Sequence, residues 1–176
     1  GALTRVSTEV GVGDLNYYRV SLAQQYFHPL SRTFTLFVNG EYGVAGGLQD
    51  KPLPFFKNFY VGGPGTVRGY EPLSLGPKDP LGNSLGGTRR IVGNIELLFP
   101  VPGAEQDRSL RLAAFLDAGQ VYGEQEEVDL SQLRLSAGIA LFWSSPFGPL
   151  RISFAEPLNS VDGVDRTLDC RPPVAP

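Results

Sequence analysis

What limits the folds open to this chain is a period-two alternation of apolar and polar side chains that recurs about seven times along its 176 residues. Successive side chains of an extended strand point to opposite faces, so this rhythm gives a strand one apolar side and would scatter apolar groups all around a helix. Between Ala2 and Gly13 the pattern sets Val6, Thr8, Val10 and Val12 against Arg5, Ser7, Glu9 and Gly11. Tyr17 to Phe27 opposes Tyr18, Val20, Leu22 and Tyr26 to Arg19, Ser21, Ala23 and Gln25, and Thr33 to Val44 opposes Phe34, Leu36, Val38 and Tyr42 to Thr35, Asn39 and Glu41. The rhythm returns in Arg89–Val101, Ser109–Tyr122, Gln132–Ser144 and Pro149–Ala155, with Gly, Pro, Asn or Asp at the breaks. The chain therefore reads as all-β, an antiparallel meander of about seven strands.

Alternation does not say which solvent the aliphatic side meets. A soluble barrel or sandwich would turn it inward, and a membrane barrel would turn it to lipid. Several of these runs reach about ten residues, the length a tilted strand needs to cross the hydrocarbon layer, whereas soluble strands average about five or six. Arg5, Arg19, Arg90, Arg111, Arg134 and Arg151 all fall on the face opposite the aliphatic one, as a wet or plugged lumen would require. Tyr18, Tyr26, Tyr42, Phe99 and Trp143 lie on the aliphatic side near predicted strand ends, where an aromatic girdle would sit. Small residues such as Gly11, Ala113 and Gly138 on the polar side leave too few large apolar groups to fill a dry core.

Composition removes other classes. No run approaches the ~18 apolar residues of a spanning helix, and no segment has the form of a signal peptide. Fifteen basic and eighteen acidic residues give a net charge of -3 without a Lys/Arg cluster, so nucleic acid is not an expected partner. The single cysteine, Cys170, excludes an internal disulfide and a multi-cysteine metal site, and no metal or other cofactor is expected. The one histidine, His28, stands beside Pro29 without a nucleophile motif around it, so no catalytic residue is assigned and a hydrolase is poorly supported.

Residues 45–88 break the rhythm with a segment dense in Gly and Pro, longer than an ordinary hairpin loop and of a length that is usually functional or disordered. It contains Gly62-Gly63-Pro64-Gly65-Thr66-Val67-Arg68-Gly69-Tyr70. This run resembles the Val-Arg-Gly-Phe/Tyr signature of the bacterial surface antigen and outer-membrane assembly superfamily, which holds the BamA-type assembly factors, TamA-like barrels, two-partner secretion transporters and organellar relatives. Asn94-Ile95-Glu96-Leu97, Phe115-Leu116-Asp117-Ala118-Gly119 and the run from Ser145 to Leu158 follow in the order of the BamA branch. The resemblance extends from about Leu3 to Asn159.

The resemblance implies a partial transmembrane β-barrel of the bacterial outer membrane, with the long loop folded inward as a finger. It makes Val67, Arg68, Gly69 and Tyr70 the lumenal loop motif and Glu96 and Asp117 the acidic wall partners of Arg68. Alternation by itself also places both acids on the polar face. Arginine suits such a role because its planar fork engages carboxylates through parallel hydrogen bonds. The loop glycines Gly62, Gly63 and Gly65, with Gly69, would allow positive φ and close backbone approach. The plainer reading makes Arg68 an exposed turn residue and both acids solvated lumen groups.

The expected organisation is residues 1–159 as the C-terminal half of an outer-membrane barrel and residues 160–176 as a non-native-looking or disordered tail. Three prolines in the last five residues cannot donate to a closing strand. The family's first and last barrel strands are expected to be missing, with self-association of the open-edged sheet a consequence. The implied function is folding and insertion of β-barrel proteins. The implied partners are outer-membrane lipid, unfolded outer-membrane protein substrates and, through a parent protein, the accessory lipoproteins of the assembly complex. A polypeptide-translocating barrel of the two-partner secretion or TamA kind and a soluble β-barrel binding module are the alternatives.

Overall fold

A computed structural model describes residues 1–49, 51–103, 107 and 109–161. Cys170 and all but the first two residues of the tail expected at 160–176 lie outside the described residues.

Seven strands form one antiparallel sheet in sequence order: β1 (Ala2–Gly11), β2 (Tyr17–Pro29), β3 (Thr35–Gly47), β4 (Arg89–Pro100), β5 (Leu110–Tyr122), β6 (Arg134–Ser145) and β7 (Gly148–Pro157). The turns follow from their residues. Asn16 accepts the Gly13 backbone N–H at 2.8 Å, with Gly13 at φ 115°. The Ser31 hydroxyl accepts from Thr33 and Phe34 at 3.2 and 3.0 Å. Only Pro146 and Phe147 separate β6 from β7, with Gly148 at φ 131°. These last two turns mark one end of the sheet, and the long loop emerges at the other.

The aliphatic face is exposed. Val6, Val10, Leu22, Ile95, Leu116, Ile139, Ile152 and Phe154 all point away from the packed side. At roughly 3.3 Å per residue and a tilt of about 45°, strands of 10 to 13 residues traverse about 23 to 30 Å, the height of a lipid-facing band. Phe34 and Phe99 meet on this face with ring centroids 6.0 Å apart, at the short-turn end. Tyr42 differs from the girdle expectation: it pairs with Leu22 and Ile91 in the body of β3. Towards the long-loop end the outward residues Gln120 and Tyr122 are buried, because the segment before β6 folds back on them. Gln120 Nε2 donates to Gln132 O at 3.1 Å and the Tyr122 hydroxyl to Asp129 O at 2.6 Å.

The opposite, inner face is ordered in rows across the ladder. Asn39, Asn94, Asp117 and Ser136 form one row, and Phe37, Glu96, Phe115, Gly138 and Ala155 the next. This wall is less polar than its arginines and acids imply, since Val92, Ala113, Phe115 and Val121 are buried on it. The loop supplies the large apolar groups that the strands lack: Phe59, Val61, Val67, Tyr70 and Leu75 cluster against Ala45, Val92 and Val121. β3 also runs three residues beyond its expected end at Val44. Gly46 and Gly47, read as loop glycines, instead pair with Tyr18 and Tyr17. A Cβ on Gly46 would come within 2.8 Å of the Tyr18 ring, so the aromatic ring takes the space a side chain would fill.

Candidate functional site

The loop between β3 and β4 folds over the inner face and is pinned there at its tip. The tip is a tight turn in which Gly63 N–H donates to Val67 O at 3.0 Å and Thr66 N–H to Gly63 O at 3.1 Å. The Thr66 hydroxyl accepts from Gly62 N–H at 2.8 Å. Gly62, Gly63 and Gly69 have φ of 118°, 90° and 87°, a region that costs a side chain dearly. Gly62 also lies so close to the returning strand of the loop that a Cβ would stand 2.5 Å from Glu71 O. Gly65 departs from the expectation: its φ is not positive and nothing lies within 4 Å of its would-be Cβ. It borders open space, so neither reason for a glycine applies there.

Arg68 is only 3% exposed, and Asp117 is fully buried. The guanidinium grips Asp117 through two parallel bonds, Nε to Oδ2 and Nη2 to Oδ1, both 2.6 Å. The Arg68 backbone N–H adds a bond to Oδ2 at 3.1 Å. Nη2 also approaches Glu96 Oε1 at 2.8 Å. Alternation explains why both acids face the loop: they lie on neighbouring strands, β4 and β5, in adjacent inner rows. Phe115, one row from Asp117, offers its ring to Arg68, whose Cζ sits 3.3 Å from the centroid. That stacking places a planar cation on an aromatic face in a dry setting.

Two asparagines to which the sequence assigns no role complete the site. Asn94 Nδ2 donates to Thr66 O at 2.7 Å and to Asp117 Oδ1 at 2.8 Å, tying the tip backbone to the acid that holds its arginine. Asn39 in turn donates to Asn94 Oδ1 at 2.9 Å. Position in the Asn39–Asn94–Asp117 row was the available signal, readable only once strand register is known. Val67 packs against Gly119, where a Cβ would stand 2.7 Å from Val67 Cγ2. Tyr70 is fully buried and its hydroxyl donates to Leu135 O at 3.2 Å. Gly69 rests on the end of β7, near Ala155 and Pro157.

A second attachment lies nearer the loop's start. Arg19 on β2 and Arg90 on β4 flank the Phe59 ring, with Cζ atoms 4.3 and 5.2 Å from its centroid. Gly43 on β3 leaves room for that ring, since a Cβ would be 2.7 Å from Phe59 Cζ. Arg90 also pairs with Glu41 at 2.8 Å, and Lys57 pairs with Glu9 on β1. His28 is hydrogen-bonded to Tyr26 at a strand end, 3.3 Å from its hydroxyl. Beside Arg68 a cleft of about 180 Å³ is bordered by Phe37, Asn39, Pro64, Gly65, Glu96 and Arg151. What this arrangement can do is mechanical: it fixes a loop inside a curved sheet through buried charge and apolar packing.

Comparison with known proteins places this geometry among relatives. The model of the Omp85 superfamily domain matches residues 1–169. The outer membrane protein assembly factor BamA of Neisseria meningitidis serogroup B is 42% identical over 190 residues, covering 90% of this chain and 24% of that protein. The mouse sorting and assembly machinery component 50 homolog is 28% identical, over 96% of this chain and 39% of its own length. The crystal structure of BamA from Haemophilus ducreyi lacking POTRA domains 1-3 superposes with a TM-score of 0.84 at 26% identity, over 95% of this chain and 36% of that one. The chain thus spans about a quarter to two fifths of the length of these relatives.

Proposed function

This chain belongs to the Omp85 superfamily, and on that premise we propose that it is the C-terminal part of a BamA-type barrel that folds and inserts β-barrel proteins into the bacterial outer membrane. The observation that carries the reading is a pair of opposite placements. The aliphatic residues of seven long strands are exposed on one face, while the Arg68 loop is docked and buried on the other. A soluble barrel would reverse both, so a soluble binding module is not supported. Of the branches weighed from sequence, the relatives named above are assembly proteins rather than secretion transporters.

In this reading the role is not enzymatic. The apolar face meets outer-membrane lipid, the working element is the latch of Val67, Arg68, Gly69 and Tyr70 against Glu96 and Asp117, and unfolded outer-membrane proteins are the substrates. Accessory lipoproteins of the assembly complex would engage through the parent protein. The test is a chimera of the meningococcal BamA carrying residues 1–159 of this chain in place of its matching segment, expressed while the native copy is depleted. Restored growth and outer-membrane porin levels are the expected result. A chimera that reaches the outer membrane folded, yet leaves porins unassembled, would overturn the proposal.

A further inference from the structure

One charged contact is unexplained by the latch. Arg151 on β7 donates from Nη2 to Glu96 Oε1 on β4 at 2.6 Å, the same oxygen that Arg68 Nη2 approaches at 2.8 Å. These strands are not neighbours, because β5 and β6 lie between them. Three strand intervals of about 4.8 Å make roughly 14 Å in a flat sheet. The offset along the strands is also large. Arg151 pairs with Phe142, Phe142 with Arg111 and Arg111 with Pro100, so Glu96 stands four residues along β4 from the row of Arg151, about another 13 Å. A flat sheet would separate the two Cα atoms by about 19 Å. An extended arginine and glutamate meeting end to end reach only about 13 Å, given bonds of about 1.5 Å.

We infer that Arg151 is a positioning residue: its bond to Glu96 is a chord across the curved inner face that holds β7 towards β4 and presents Glu96 to Arg68. The path of the chord is cleared for it. Ala113 and Ala140 are buried beneath it as small groups with Phe142 packed beside them, and Gly138 has no side chain in the row between Phe115 and Ala155. The Arg151 guanidinium lies over the Phe142 ring at 4.7 Å, which steers it across the sheet rather than along β7. Glu96 joins two arginines, one from the loop and one from the strand at the far side of the sheet. Loop docking and sheet curvature are therefore coupled through a single carboxylate.

The inference uses the latch described above but not the assembly role, so the chimera and the following experiment can fail separately. Spin labels are placed on the outer face at Ile95→Cys and Phe154→Cys, in the full chain with Cys170→Ser, in detergent micelles. Their separation is read by pulsed electron resonance, and chymotrypsin cleavage at Tyr60 and Tyr70 reports loop docking. Arg151→Gln is expected to shorten and broaden the distance, because groups on the convex face converge as the sheet flattens, and to speed cleavage by about fivefold or more. Added to Glu96→Gln, the same change should alter cleavage by less than about twofold, because the partner it acts through is already neutral. An unchanged distance, or an equal effect in both backgrounds, would overturn the inference. If the glutamine variant lacks a strand spectrum, the cycle is run with Arg151→Lys, and equal effects in both backgrounds again overturn it.

Discussion

Replacing Asp117 by Asn keeps the shape of the side chain and removes the charge from the best-buried member of the latch. Asp117 accepts from Arg68 N, Nε and Nη2 and from Asn94 Nδ2. An amide turns one of its two oxygens into a donor, which must then face an N–H of Arg68 or Asn94. Arg68 keeps Glu96, but shares it with Arg151. Breaking one side of a buried pair costs about 3–5 kcal/mol, and Arg68 is buried deeply enough that solvent screening gives little discount. At about 1.4 kcal/mol per tenfold, tip opening becomes roughly 10²- to 4 × 10³-fold more frequent. Hydrogen exchange of the chain in micelles reads this directly, because exchange of a docked amide follows its local opening. Amides of residues 62–70 should lose that protection, while those of Phe59 and Leu75, held by hydrogen bonds to Gly87 and Val61, change little. Protection at the tip that stays within about threefold of wild type would refute the claim that a buried ion pair restrains the tip.

Arg68→Ala should loosen the same segment, raising protease sensitivity across residues 60 to 75 with strand content by circular dichroism intact. Gly119→Ala places a methyl 2.7 Å from Val67 Cγ2, and overpacking of about 1–3 kcal/mol should lower the melting temperature in detergent; an unchanged melting point would show that the loop sits less closely than described. Leu116→Arg lies on the exposed face. It should cost about 2–4 kcal/mol in chemical unfolding from bilayers if this face meets mid-membrane lipid, against about 0.5 or less for an ordinary water-exposed site. In the loop, the Asn83 side chain and backbone hold Asp79 below its ordinary value of 3.8. A depressed carboxyl stabilises its turn above the ordinary value and stops doing so as pH falls through the lowered one. Nuclear resonance titration should therefore find the Asn83 amide moving only below pH 3.8, and movement centred at or above that value would contradict the turn.

Much of this geometry is legible in the sequence because period two carries two messages at once. Alternation puts Glu96 and Asp117 on the same side as the arginines, and strand lengths suggest a membrane. That Arg68 meets these two acids is what the family resemblance implies, and alternation adds only their common face on β4 and β5, which are neighbours in sequence and in space. Arg151 is different. Its face could be read, but its partner depends on how tightly the sheet curls over four strands, a property that no local pattern encodes. Glycine misled in both directions. Gly46 and Gly47 have loop composition and are ladder, Gly46 beneath the Tyr18 ring and Gly47 beneath the backbone of Lys51 and Pro52, while Gly65 lies in a run of conformationally required glycines and is not one. Gly43 and Gly119 carry no local signal of their role, although each leaves the space that a loop side chain enters.

Relative magnitudes decide what the charges are for. Undocking the loop would expose Phe59, Val61, Val67, Tyr70 and Leu75, all buried to within a percent or so. At roughly 1.5–3 kcal/mol for each large apolar side chain, with extended-chain estimates an upper bound, apolar burial outweighs anything the latch contributes. A buried ion pair is close to neutral against a well-packed apolar substitute, because removing charges from water costs about what their attraction returns. The apolar cluster therefore holds the loop in the lumen, and the Arg68–Asp117–Glu96 network determines where its tip rests. Apolar contacts tolerate sliding, but a planar fork on a fixed carboxylate does not. A barrel whose strands turn their aliphatic sides outward has no core of its own making. Here the loop provides one, and the charges keep that borrowed core in register with the wall.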